Sequence, residues 1–339
     1  MPRPRYTIRK LRKIPRCMAA VVFLMFVEPE VPAEEMADLK AGAEGFNRGD
    51  FTEAKRRFEK ALAADAKNSE ARLYLGRIAL EEQRYRDGMH QLELASKECP
   101  TNAVYVLWLA RGYGLQAKEA GIPGGLGPAL KSKAAFEKAV ALDPDLIEAR
   151  EDLLQFHLEA PGIIGGSRRM ARAQANEIKK RDPYVGLLVQ GDLLLDERKF
   201  REAERIYQSA AEMKPAKPDA YYRLGRLCLE TKEFGKASSS FENILQLDTN
   251  EVAACYYIGQ TGALSGQGLP RAEEALKRYL LTRPRFYKPS LAAAHFCLGQ
   301  IYERKGDRDL ARAEFQRALK LEPDHKEAKA SLRKLRSGP

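Results

Sequence analysis

The chain has 339 residues, 44% hydrophobic and 31% charged, with a formal net charge of +11. Positions 1–33 hold seven basic and two acidic residues, which leaves 51 basic against 45 acidic residues elsewhere, a net +6. That balance gives no reason to invoke a polyanionic partner, and no nucleic acid is expected.

In chain order, the first 33 residues are predicted to be a targeting segment. The basic run Arg3 to Arg16 precedes the apolar run Met18 to Val27, and Val31-Pro32-Ala33 offers the small residues a signal peptidase reads. The apolar run is too short to span a bilayer, which needs about 20 residues. The segment predicts a cleaved signal peptide and an exported chain, periplasmic or secreted, with no membrane insertion after cleavage. A retained N-terminal anchor is the alternative. Cys17 lies before the apolar run, the wrong side for a lipid-attachment cysteine.

From Glu35 onward a helical pattern recurs about every 34 residues. The eighth position of successive units is Gly42, Gly76, Ala110, Leu154, Gly191, Gly225, Gly259 and Gly299; the twentieth is Ala54, Gly88, Ser132, Ala171, Ala203, Ala237, Ala272 and Ala311. Small residues there let two helix backbones approach closely. The twenty-fourth position supplies the filler: Phe58, Leu92, Phe136, Ala175, Tyr207, Phe241, Leu276 and Phe315. Unit four exchanges large for small at Leu154 and Ala175, so its packing should differ. Ala61, Ala95, Ala139, Ile178, Ala210, Ile244, Tyr279 and Ala318 mark where the next unit docks. Pro100, Pro144, Pro183, Pro215, Pro284 and Pro323 follow as helix terminators.

The segments Leu224-Gly225…Cys228…Ala237…Phe241 and Leu298-Gly299…Tyr302…Ala311…Phe315…Ala318…Pro323 carry the W-x2-L-G-x2-Y, A-x3-F, P signature in order, as does Leu75-Gly76…Ala79…Gly88…Leu92…Ala95…Pro100. Over residues 35–324 the chain therefore resembles the tetratricopeptide repeats, with eight units. The resemblance implies an all-α, right-handed α-solenoid whose concave wall is built by first-helix positions 2, 5, 9 and 12. It also implies a non-catalytic protein–protein interaction scaffold or adaptor that binds a peptide or partner helix. A structural or self-associating spacer of the cell envelope is the alternative. On this mapping the partner-binding groove comprises Arg77, Arg111, Tyr222, Arg226, Tyr256, Gln260, Phe296 and Gln300. Aromatic anchors beside amide and guanidinium donors suit an extended peptide; the rings would otherwise pack between neighbouring first helices. No unit pairs Lys with Asn at positions five and nine, which disfavours a carboxylate clamp. Position five is mostly leucine or aromatic, which argues against the base-reading code of related helical repeats.

Two inserts interrupt the period. Unit three gains about ten residues through Gly121-Ile122-Pro123-Gly124-Gly125-Leu126-Gly127-Pro128, and unit four about five through Pro161-Gly162-Ile163-Ile164-Gly165-Gly166-Ser167. Both are expected as glycine-rich loops on one edge of the solenoid, either a binding face or an accommodation of the fourth unit. Neither follows a strand or precedes G-K-[ST], so no phosphate cradle is predicted. The A-P-G-I-I-G-G-S stretch and the L-S-G-Q turn at Leu264 to Gln267 resemble those of exported bacterial repeat proteins.

Cys99, Cys228, Cys255 and Cys297 match no zinc spacing, and the last three fall on inward first-helix positions. They read as buried small hydrophobes, with a Cys228–Cys255 disulfide as the alternative. His90, His157, His295 and His325 lack metal spacing, and His157 and His295 take packing positions. No nucleophile motif occurs, so no catalytic residue, metal or cofactor is predicted. Residues 325–339 should form a capping helix and tail, with Ala328, Leu332 and Leu335 inward and Lys326, Lys329, Arg333, Lys334 and Arg336 on the other face. That face is a solubilising cap or, alternatively, a basic docking tail.

Overall fold

The eighth-position glycines are occupied from across the hairpin. A Cβ added at Gly42 would lie 2.8 Å from the Phe58 ring, at Gly76 2.7 Å from Leu92 and at Gly299 2.6 Å from Phe315. Each glycine thus removes one side chain so that a larger one can fill the gap, and that exchange fixes how the two helices of a hairpin pair. The twentieth and twenty-seventh positions are buried in every unit.

The structure, a computed structural model, describes residues 33–337 apart from 283 and 285–287. Most of the targeting segment expected over 1–33 lies outside the described residues. Those residues form seventeen α-helices, one 3-10 turn and no strand. The hairpins run α1 (Ala33–Arg48) with α2 (Phe51–Ala64), α3 (Ser69–Glu81) with α4 (Tyr85–Glu98), α5 (Ala103–Gly124) with α6 (Leu126–Leu142), and α7 (Ile147–Glu159) with α8 (Arg168–Arg181). They continue with α9 (Pro183–Asp196) and α10 (Phe200–Met213), α11 (Pro218–Glu230) and α12 (Phe234–Leu247), α13 (Ala253–Ser265) and α14 (Leu269–Leu280), then α15 (Leu291–Lys305) and α16 (Arg308–Leu321). A last helix, α17 (Lys326–Ser337), buries Ala328, Leu332 and Leu335 against α16 and exposes Lys326, Lys329, Arg333 and Lys334. Each helix packs chiefly on its neighbours in sequence, the pattern of an all-α helical-repeat superhelix.

Helix ends explain the register. Asp50, Asn68, Asn102 and Asp182 accept backbone N–H groups of the helix that follows each of them. Asp182 closes α8 and opens α9, with Pro183 at the first helical position, where its missing N–H costs nothing. The turn inside most hairpins needs one left-handed residue. Gly49, Gly266 and Gly306 supply it in three units; Gln83, Arg198 and Lys232 take the same conformation without being glycine.

The unit-three insert is not the loop expected from its glycines. α5 continues to Gly124 and α6 begins at Leu126, so the extra residues lengthen both helices and leave Gly125 as the joint. Gly125 donates its N–H to the Gly121 carbonyl at 2.6 Å, and a Cβ there would strike the Ala117 carbonyl oxygen and lie 2.8 Å from the Gly121 oxygen. The unit-four insert does form a turn, containing the 3-10 segment Gly162–Ile164. It folds back on its own helix: Ser167 N–H donates to the His157 carbonyl at 2.9 Å, and His157 Nδ1 lies 3.1 Å from the Gly165 carbonyl. Gly165 sits at φ +94°.

Leu154 and Ala175, the exchanged pair, are both buried in one small cluster with Ala171, Ile178 and Val189. The largest cluster lies at the other end and runs from Cys228 to Leu335. All four described thiols are free, including Cys228 and Cys255. Burial pushes Cys228 up to about 11 and Cys297 up to about 12, as expected for inert core thiols.

Candidate functional site

Residues one repeat apart on successive first helices face the same trough, so the wall is built by stacking side chains along the array. At its N-terminal end the guanidinium of Arg77 lies 4.3 Å from the Phe46 ring centre and 4.2 Å from that of Trp108, with Tyr74 at 5.0 Å. Arg111 covers Trp108 from the next turn at 4.6 Å and pairs with Asp152 at 2.5 Å. The sequence Phe46, Arg77, Trp108, Arg111, Asp152 therefore crosses four units as one stack of rings and charges. It lines a cavity of about 840 Å³ whose apolar floor includes Leu115, Phe136 and Phe156.

A second cavity, of about 600 Å³, continues the trough over units four to six and holds Asp192, Tyr207, Tyr222, Arg223, Arg226 and Glu230. Gln155 and Glu159 line both cavities, so the two form one channel. Its centre is an ionic network: Arg223 Nε donates to Asp192 at 3.1 and 3.2 Å, Arg223 Nη2 faces Glu151 at 3.9 Å, and the Tyr207 hydroxyl donates to Asp192 at 2.7 Å. Burial pushes the Glu151 carboxyl up to about 7, against the opposing pull of Arg223 and with help from Asp152 and Asp192. Burial likewise raises Asp152, despite its pairing with Arg111.

The predicted groove residues divide. Arg77 and Arg111 meet in the first cavity, and Tyr222 and Arg226 line the second. Tyr222 is half-buried and also structural: its ring packs on Tyr257 and Phe241, and its hydroxyl donates to Glu251 at 3.0 Å. Tyr256 does not reach the wall. It is 7% exposed, packed on Tyr257 and Tyr279 and bonded to the Cys297 thiol, because its side of α13 faces the next hairpin. Phe296 lies against Phe315 and His325, beneath the start of the capping helix. Gln260 and Gln300 are half-buried on α13 and α15, and neither lines the two cavities.

Trp108, Asp152 and Arg223 take position six, outside the assumed wall positions, whereas Phe46 at position twelve and Asp192 at position nine lie on the wall but are not among the predicted groove residues. One signal was available: Trp108 is the chain's single tryptophan, at position six of the third unit. Among the described residues, no group of three or more His, Cys, Asp or Glu could hold a metal ion. No helix there is long and apolar enough to cross a membrane.

Three tetratricopeptide-repeat family models match the chain, over residues 46–111, 188–251 and 292–325. Superkiller complex protein 3 of Mus musculus is 25% identical over 283 residues, covering 80% of this chain and 17% of that protein. Protein O-mannosyl-transferase TMTC3 of Homo sapiens is 28% identical over 131 residues, covering 39% of this chain and 13% of that one. The chain thus spans less than a fifth of the length of either relative. Among solved structures, yeast Tom70 superposes with a TM-score of 0.67 at 16% identity, over 93% of this chain and 66% of its own. Cut9, in the APC/C hetero-tetramer Cut9-Hcn1, gives 0.53 at 17% identity, over 88% and 55%. Both likenesses concern the fold. With repeats matched in three separate stretches and helical hairpins nested small-against-large along the array, the chain is a tetratricopeptide repeat protein, built on the architecture of a protein–protein interaction scaffold.

Proposed function

We propose that the chain is a non-catalytic adaptor that holds an extended peptide or partner helix along its trough, and that it does so in the cell envelope. The observation that carries the first half is the stack of Phe46, Arg77, Trp108 and Arg111 over an open cavity of about 840 Å³. Phe46 is buried beneath the stack, while Arg77, Trp108 and Arg111 are held side by side and partly exposed, and such aromatic and guanidinium groups dominate binding energy at interfaces. Rigidity matters because the wall then loses little side-chain entropy when a partner arrives. The continuity of the two cavities through Gln155 and Glu159 favours a long segment over a compact ligand. The envelope half rests on the basic, apolar and small-residue order of positions 1–33.

Site-resolved photo-crosslinking tests the trough. A photoreactive phenylalanine at position 108 or 226 should yield a crosslinked partner in intact cells, while the same group at exposed Lys180 or Glu274 should not. Equal products from all four positions would end the trough reading. Mass spectrometry of the mature N-terminus tests export: a chain beginning near residue 34 is expected, and an intact Met1 in the cytosol would overturn it.

A further inference from the structure

The two inserts that break the repeat build one surface feature together. The α6 residues Leu126, Leu130 and Lys133 fall on one face at spacings of four and three. Lys133 carries that face onto the unit-four turn: its side chain lies against Gly165, where a Cβ would fall 3.1 Å from Lys133 Cδ. Beside this contact, Ile163 stands 88% exposed, and Leu126 and Leu130 are each 47% exposed. Met170, in the first turn of α8, is exposed as well. Large apolar side chains clustered in this way on an otherwise polar edge call for a partner.

Charge indicates which one. Residues 120–136 and 160–176 contain no Asp or Glu, in a chain where 47 of 339 residues are acidic. At that frequency about five acids would be expected in these 34 positions. The segments carry Lys131, Lys133, Arg168, Arg169 and Arg172. Arg168 and Arg172 are taken up by Asp196 and Glu197, and Lys133 is near Glu137 at 3.7 Å. Lys131 and Arg169 make no ion pair among the described residues and are exposed. A protein partner's apolar patch would not explain why acids are excluded from both segments. An anionic bilayer would, because apolar tips insert at the headgroup level while cations meet lipid phosphates and any carboxylate would be repelled.

We propose that this edge rests on an anionic lipid surface, with Ile163, Leu126 and Leu130 entering the interface and Lys131 and Arg169 meeting phosphates. None of these five residues lines either cavity, so the proposal stands whether or not the trough reading does. The test uses the full chain carrying Trp108→Phe and Ile163→Trp, which makes position 163 the sole tryptophan. Vesicles of phosphatidylcholine and phosphatidylglycerol with brominated acyl chains should blue-shift its emission and quench it by roughly half or more. Adding Lys131→Gln and Arg169→Gln should weaken the quenching titration by about tenfold or more. Vesicles that sediment with the protein while position 163 stays unquenched would overturn the proposal, since another part of the chain would then be the contact. Equal quenching by phosphatidylcholine alone would overturn the role of the cations. A blue shift without vesicles that grows with protein concentration, together with a doubled mass in light scattering, would assign the patch to a second copy and end the lipid assignment.

Discussion

Tyr222 and Tyr256 occupy the same position in adjacent repeats, yet their surroundings make them different residues. Tyr256 is enclosed by Tyr257, Tyr279 and Cys297, whereas Tyr222 keeps one side in the second cavity. Replacing Tyr256 by alanine removes a full core ring and should cost about 3–5 kcal/mol, while Tyr222→Ala should cost about half that. Urea unfolding of the two variants checks the ranking, and equal losses would mean that both rings are core. Position alone therefore could not separate wall from core, because the superhelix turns each first helix slightly relative to the last. The trough's strongest feature shows the same limit: Arg77 and Arg111 were legible as periodic cations and Trp108 as the single tryptophan, but the packing of Trp108 between the two guanidinium groups shows only in three dimensions. Glu151 gives a prediction in pH. Burial raises its folded carboxyl from the ordinary 4.5 to about 7, so between those values the folded state keeps a proton that the unfolded state has lost. Stability from this group is complete below about 4.5, falls as pH rises toward 7, and is flat beyond. The side chain is a third exposed, so the loss is limited to about 1–2 kcal/mol. Glu151→Gln should match wild type at pH 5 and exceed it at pH 8, and a gap independent of pH would contradict the assignment. Comparing the two proteins also cancels His157, whose burial lowers its value and whose pH dependence has the opposite sign.

At the scale of helices, the glycine-to-ring contact decides whether a hairpin can close. A Cβ at Gly225 would fall 2.6 Å from Phe241 Cε1, and that ring is itself held by Tyr222 and Tyr257. Gly225→Leu should therefore destabilise by overpacking, by about 1–3 kcal/mol or more, because the ring has no empty space to move into. Thermal melting checks it, and an unchanged transition would mean that α11 and α12 pair differently. This contact was fully legible in the sequence, since a hairpin with a fixed helix separation forces a fixed spacing between glycine and filler. The capping helix was legible for the same reason: Ala328, Leu332 and Leu335 repeat at helical spacing and all three are buried. The unit-three insert was not legible. Glycine and proline content points to a loop, but α5 is already nucleated and packed on α6, so adding turns to it costs less than opening an unpaired backbone.

Across the whole molecule, stability is a sum of hairpins and the contacts between neighbours, and those contributions are uneven. The C-terminal hairpins share one continuous cluster that includes Phe241, Leu276, Tyr279, Leu298 and Phe315, and it reaches Leu335 of the cap. In the fourth hairpin Leu154, Ala171, Ala175 and Ile178 form a small cluster with Val189 of α9, Ala149 and Leu153 join the cluster of the preceding hairpin, and two of the three buried residues of α8 are alanine. Apolar area removed from water stabilises at about 25 cal/mol per Å², so α8 gains far less from burial than its counterparts α12 and α14. Its exposed face is rich in Arg and Lys, whose ion pairs with Asp196 and Glu197 are solvent-exposed and contribute little. Because neighbours couple only to neighbours, a weak fourth unit should divide the array into two cooperative blocks instead of lowering stability evenly. Native-state hydrogen exchange should show α7 and α8 opening first, with residues in α11 to α16 protected to the highest free energy. The trough would then be hinged where its two cavities join, at Gln155 and Glu159, so that a long partner bridging both would protect α7 and α8 more than any other pair. Uniform protection along the array, with or without a bound partner, would show that the fourth unit is no weaker than the rest.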